Sequence, residues 1–141
     1  MDVKNEKGVG SGVAIFADGS LTHQLRYKLA EKCSNNQAEQ HAIVKSLKKL
    51  RKMQTTQRNH RTAAIHTDSR TTLEAIANPR KHQSLVESIR KEILSLEVDE
   101  LIEHFTWVKV HDNNLWNELA NLLAKEAACD NSLQTSYHKY P

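Results

Sequence analysis

Ala63-Ala64-Ile65-His66-Thr67-Asp68-Ser69 decides how this chain is built. Ala63 to Thr67 has the length and composition of a short buried strand. Asp68 and Ser69 follow at once, and both residue types start helices. Leu73 and Ile76 then lie on the inner side of a helix. Asn78-Pro79 stops it, because the residue before a proline avoids the helical region. A buried strand that turns directly into a helix is the building unit of sheets covered by helices.

The flanking sequence extends this pattern. Upstream, Val9 to Ala17 is rich in small and β-branched residues, and Leu21 to Ala30 alternates apolar with polar. Asp18-Gly19 between them is a hairpin turn signal, so the chain opens with an antiparallel hairpin. Asn35 or Asn36 can cap a following helix, in which Ile43, Leu47 and Leu50 recur at helical spacing up to about Met53. Gln54 to Arg61 is a polar connector. Downstream, Leu85, Ile89 and Ile93 mark a helix from about Ser84 to Leu96. Leu101 to Val110 reads as a strand. Leu115 to Ala128 is a last helix, with Leu115, Leu119 and Leu122 on its apolar side and Ala124 and Ala127 further down. The fold class is therefore α/β, a mixed sheet with an opening hairpin and flanking helices.

Length and composition bound the rest. The 141 residues suit one domain. Charged residues at 26% and hydrophobic ones at 38% are ordinary for a globular protein and exclude a low-complexity or fibrous chain. No apolar run approaches the roughly 20 residues of a membrane span, and Met1 to Asn5 lacks a signal-peptide core. Cys33 and Cys129 have no metal-ligand spacing, which favours a reduced intracellular protein. The net charge of +3 permits a polyanionic partner without demanding one. Lys45, Lys48, Lys49, Arg51 and Lys52 crowd one helix, as either a solvated face or a phosphate-tracking surface.

Three segments carry candidate chemistry: Asn35-Asn36-Gln37-Ala38-Glu39, His66-Thr67-Asp68-Ser69-Arg70, and Trp107-Val108-Lys109-Val110-His111 leading into Asn117-Glu118-Leu119-Ala120-Asn121. Carboxylates at the ends of different elements, aimed at one spot, bind Mg²⁺ or Mn²⁺, which are hard ions that prefer oxygen. Two such ions about 4 Å apart can clamp a phosphodiester and activate a water. Glu39 and Asp68 supply acids, and Asn121 supplies an amide where a metal site wants an acid. His111 begins a polar loop and can shuttle protons. Singly, each has a plainer role: a helix-dipole partner for Glu39, an N-cap for Asp68, a solvated loop residue for His111, an inter-element hydrogen-bonder for Asn121. Their ordered conjunction is what points to a site.

Those motifs, together with Asn117-Glu118-Leu119-Ala120-Asn121-Leu122-Leu123-Ala124-Lys125-Glu126-Ala127, resemble the type 1 ribonuclease H domain, in the form carried by non-LTR retrotransposons of insects and other animals. The resemblance runs from about Gly8 to Ala128. It implies cleavage of the RNA strand of an RNA–DNA hybrid by two Mg²⁺ ions, with Mn²⁺ as a substitute, held by acids in the order Asp, Glu, Asp, Asp. Glu39 matches the second acid and Asp68 the third. Asn121 takes the fourth position, and His111 matches the loop histidine. Asn35, Asn36 and Gln37 match the segment that meets the hybrid's minor groove, where amides can read 2′-hydroxyls. Ser69 is placed with them as a nucleic-acid contact.

Two departures qualify the resemblance. The family's first acid ends a strand before the hairpin, yet only seven residues precede Gly8. That first strand is therefore expected to be missing, with a core layer lost, and Asp2 is the one acid near the right place. Residues 1–129 are expected to be an N-terminally truncated domain and 130–141 a frayed polar tail. Second, Asn121 brings no charge, and Trp116 replaces a glycine common before Asn-Glu. The expected function is a ribonuclease H-type endonuclease, impaired in this chain. The alternative is a non-catalytic module of the same fold that binds hybrid or duplex RNA, and a third is an inert remnant.

Overall fold

The computed structural model describes residues 2–5, 8–54, 62–109 and 115–139, with backbone alone for 2–5, 54, 115 and 116. Strand β1 (Asp2–Asn5) pairs antiparallel with β2 (Gly8–Ala17). β2 forms the expected hairpin with β3 (Ser20–Leu29). Asp18 at φ 53° and Gly19 at φ 80° make its turn, the two-residue type whose twist matches paired strands. Then come α1 (Asn35–Gln54), β4 (Thr62–Thr67), α2 (Arg70–Ala77), α3 (Ser84–Val98), β5 (His104–Lys109), α4 (Leu115–Cys129) and β6 (Thr135–Tyr137). The described strands form two sheets, β1-β2-β3-β6 and the parallel pair β4-β5.

The expected absence of a strand before Gly8 is corrected by β1. Asn5 already faces Gly8 across the ladder, so the reversal uses less chain than the expectation allowed. β1 is short, however, and its pairing with β2 ends at Asp2 opposite Ser11. Among the described residues nothing pairs with that edge of β2 beyond Ser11, or with the edge of β4 away from β5. A cavity of about 500 Å³ lies between them, lined by Val13, Phe16, Leu50, Met53 and Ile65 among others.

Helices close the structure on either side of that gap. Ile43, Val44 and Leu47 of α1 pack with Ile65 of β4, Leu85, Ile89 and Leu96 of α3, and Ile102. Ile102 was expected to lie within a strand from Leu101, but it belongs to the end of α3. Glu100 takes φ 57°, and the amides of Glu100 and Leu101 return to the carbonyls of Glu97 and Leu96. This is the Schellman closure, which satisfies the last carbonyls of a helix. It buries Ile102 at 1% exposure and delays β5 to His104.

α4 lies directly on β2, and two glycines make this possible. A Cβ on Gly10 would meet the Ala124 carbonyl and the Ala128 amide, and one on Gly12 would meet the Ala120 carbonyl and the Ala124 amide. The facing surface of α4 is correspondingly small, with Ala120, Ala124, Ala127 and Ala128 buried. This contact also corrects the expected apolar face: Leu123 is buried, whereas Leu122 is 52% exposed. The backbone contact selects the alanine stripe and turns Leu122 outward.

The expected frayed tail is corrected too. β6 pairs in parallel with the end of β3, Thr135 opposite Lys28 and Tyr137 opposite Leu29. Tyr137 packs against both apolar clusters, which is what holds so polar a segment down. Its ring also lies beside His41, which is buried at 3% exposure and hydrogen-bonded through Nδ1 to the Ser11 hydroxyl at 2.8 Å. Burial, then Lys45 and Lys48, push the His41 imidazole down to about 4.

Two outcomes follow from this packing. Gly12→Ala is expected to lower stability by about 1–3 kcal/mol or more, because the helix must lift off the sheet, and urea denaturation reads it directly. For His41 the unfolded chain binds the proton more tightly than the fold does. Stability therefore falls with acidification between pH 6.5 and about 4, by up to about 3 kcal/mol. His41→Gln flattens that window in denaturation curves taken at successive pH values.

Candidate active site

Glu39 sits in the second turn of α1 and is 1% exposed. The start of that helix is fixed by Ser34, not by Asn35 or Asn36. The Ser34 hydroxyl accepts from the Gln37 amide at 3.1 Å, and the Gln37 side-chain oxygen accepts from the Ser34 amide at 2.9 Å. This reciprocal capping box satisfies two otherwise orphaned amides and sets the helix phase. The phase turns Glu39 inward and leaves Asn35 and Asn36 exposed.

Thr67, the last residue of β4, reaches Glu39 from the other side. Its fully buried hydroxyl donates to Glu39 Oε2 at 2.9 Å and accepts from the Ser69 amide at 3.1 Å. The chain then leaves the strand at Asp68, whose carboxyl lies near enough to Glu39 to be influenced by it. Asn117 of α4 completes the group, its Nδ2 donating to Asp68 Oδ2 at 3.1 Å. Burial raises the Asp68 carboxyl, but the bond from Asn117, with the influence of Glu39, outweighs it and holds the group below its ordinary value. Two carboxylates brought near each other repel unless a proton or a cation offsets their charge. A divalent cation could neutralise both at once, and the oxygen-only donor set fits a hard ion.

Glu39 and Asp68, taken from distant parts of the sequence, are thus brought together. Asp68 is not the N-cap of α2: Ser69 is, accepting from the Thr72 amide at 3.2 Å and donating to the Thr72 hydroxyl at 2.9 Å. Asn121 lies one turn beyond Asn117 on α4 and is half-buried. Asp2 is placed by its backbone only, opposite Ser11. His111 lies outside the described residues. Among those described, no three His, Cys, Asp or Glu side chains gather around one metal position. Gln37 is buried, with its amide nitrogen donating to the Lys139 carbonyl at 3.2 Å, so the capping box and the tail occupy it.

Sequence inspection missed Thr67 and Asn117 as members of the group. The available signal was the spacing of Asn117 and Asn121, one helical turn apart and so able to share a face. A broader surface lies along α1, where Lys45 is held below its ordinary value by burial and by Lys48 and Lys52. Such a shift requires that these ammonium groups share one side of the helix. No helix among the described residues is long and apolar enough to cross a membrane.

The RNase H family model matches residues 3–129, and the chain belongs to that family. Solved structures agree in fold. RNase H1 from the halophilic archaeon Halobacterium salinarum is 18% identical, with a TM-score of 0.64 over 89% of this chain and 91% of that one. The N-terminal RNase H domain of a Mycobacterium tuberculosis protein, solved as a fusion with maltose-binding protein, is 16% identical, with a TM-score of 0.70 over 90% of this chain and 93% of that one. No curated protein matches the chain. The family supports a ribonuclease H-type function, directed at RNA–DNA hybrids and generally dependent on a divalent metal.

The Asn117 bond has a measurable consequence. A carboxyl depressed in the fold contributes stability above its unfolded value near 3.8, and that stability is lost as pH falls through the folded value. Asn117→Ala should move the Asp68 titration upward and weaken the acid limb of the stability curve. Carbon NMR of the Asp68 carboxyl against pH checks the first, and acid denaturation the second.

Proposed function

We propose that this chain is a ribonuclease H-type endonuclease that cleaves the RNA strand of RNA–DNA hybrids by two-metal hydrolysis, impaired by an incomplete acid set. The observation that carries the proposal is the Glu39–Asp68 carboxyl pair, drawn from two separate elements in a member of this family. Mg²⁺, with Mn²⁺ as a substitute, would be held by Glu39, Asp68, Asn121 and Asp2. When bound, such ions supply a hydroxide-like water and offset charge on the leaving oxygen.

The chain's own groups do the rest. Thr67 and Asn117 hold the two carboxyl groups through their hydrogen bonds, which limits the reorganisation needed at the site. His111 moves the proton of the departing oxygen. Asn35 and Asn36 meet the minor groove, with Gln37 and Ser69 bracing the segments behind and beside them. The lysines of α1 track phosphates and make binding salt-sensitive. Asn121 offers an amide oxygen without charge, so the site carries fewer negative charges than it was built for. Trp107-Val108-Lys109-Val110-His111 and Asn117-Glu118-Leu119-Ala120 support assignment to the retrotransposon branch, associated with reverse transcriptase and working in cytoplasm or nucleus.

The test is incubation of the purified chain with an RNA–DNA hybrid in Mg²⁺ and in Mn²⁺. Slow cleavage is expected, abolished by Asp68→Asn. Asn121→Asp should accelerate it, tenfold for each ~1.4 kcal/mol of added transition-state stabilisation. Equal cleavage by the Asp68→Asn variant would sink the site assignment. Salt-sensitive binding with no cleavage in either metal would leave a binding module of the same fold.

A further inference from the structure

The last described residues do more than end the chain. β6 lies beside the end of β3, and past it the strand's own backbone reaches toward the start of α1. The Ala30 amide donates to the Tyr137 carbonyl at 2.9 Å. The Cys33 thiol, fully buried, points at the carbonyls of Tyr137 and Lys139, at 3.8 and 3.4 Å. The buried Gln37 amide donates to that same Lys139 carbonyl. The far end is tied down as Lys139 Nζ donates to the Ser84 hydroxyl at the start of α3, at 3.2 Å. Three residues of one eight-residue stretch, Ala30, Cys33 and Gln37, thus bond to one short strap.

That stretch is the one that carries Asn35 and Asn36. It consists of a turn, one capping box and the first turn of a helix, and such segments fray when left alone. The capping box itself depends on the strap. Gln37 Oε1 accepts from Ser34 while its Nε2 is held by Lys139, so the carbonyl of Lys139 fixes the rotamer that closes the box. Gln37 is a brace here, and the exposed amides are those of Asn35 and Asn36.

We propose that the strap Thr135–Lys139 is a positioning element: it fixes the Ala30–Gln37 segment and so sets the affinity with which Asn35 and Asn36 engage a hybrid. The affinity half rests on the function proposed above, whereas the positioning half does not. The strap touches neither Glu39 nor Asp68 in any bond described here. Glu39, further along α1, keeps its own bond to the Thr67 hydroxyl when the capping box loosens, so loss of the strap acts on binding and leaves the turnover of bound substrate nearly unchanged.

The experiment compares the full chain with one ending at Leu133, which lacks the strap, and with one ending at Tyr137, which keeps β6 and lacks the Lys139 carbonyl. Lys139→Ala, which keeps that carbonyl, is the control for lost charge. Amide hydrogen exchange of Cys33 to Ala38 is measured without nucleic acid, and KM and kcat are measured on a hybrid. Exchange there should quicken in both shortened chains, on the order of tenfold for loss of a bond or two. KM should rise by a similar factor with kcat within about twofold. Unchanged exchange in the chain ending at Tyr137 overturns the positioning half, whatever happens on a hybrid. A Lys139→Ala loss of affinity equal to that of truncation, with exchange of Cys33 to Ala38 unchanged, overturns the affinity half, because charge and not the strap's hold then explains it. A full chain that neither binds nor cleaves hybrid overturns the proposed function and the affinity half together, while exchange still decides the positioning half.

Discussion

Everything near the candidate site depends on how closely α4 can approach β2. Helices normally pack on sheets through side chains of both partners. Here Gly10 and Gly12 remove one of those layers, and the backbone of α4 at Ala120, Ala124 and Ala128 lies where their Cβ atoms would be. Dispersion at such contacts is individually weak and collectively large, because no void remains between the partners. The contact fixes both the depth and the rotation of α4. With that rotation set, Asn117 reaches Asp68 across 49 residues of sequence, and Asn121 follows one turn behind.

The carboxyl pair is held by a second constraint, the demand that buried polar groups find partners. Glu39 is enclosed at the meeting of α1 and β4, where Thr67 supplies a hydroxyl. Thr67 in turn accepts the Ser69 amide, so the residues after β4 cannot move without disturbing Glu39. Asp68, half-buried beside them, accepts from Asn117. A low-dielectric pocket with two carboxyl groups is costly without a proton or a cation to share. That cost gives the site its chemical character, and the neutral Asn121 lessens it.

Around this centre the packing is uneven. The short β1 leaves a gap of about 500 Å³ between two sheets, walled by apolar residues and strand edges. Stability must come from elsewhere: the α1–α3–β4 cluster, the α4–β2 contact and the strap. The strap compensates at the other end of the sheet, adding β6 to an edge of β3 that would otherwise stand open. It shows how a polar tail can be ordered by one aromatic residue, Tyr137, together with backbone bonds.

Local patterns were enough for much of this. Alternation and the Asp18-Gly19 turn determined the hairpin, because both act within a few residues. The short run to Thr67 followed by Ser69 determined the strand–helix unit, and Asn78-Pro79 its end. Ordered motifs determined the family and singled out Glu39 and Asp68. Tertiary structure alone decided the rest. Periodicity placed Ala124 and Ala127 on the inner face of α4 but not its leucine, since Leu122 and Leu123 are equally apolar and only the glycines opposite choose between them. Thr67 and Asn117 joined the site through contacts between distant segments, which carry no local signature. The β1 pairing and the docking of Thr135–Tyr137 depended on edges supplied by other strands, and no property of those short polar runs announces an edge. Sequence determined what forms within a few residues of itself; burial and pairing across the fold decided what those pieces would do.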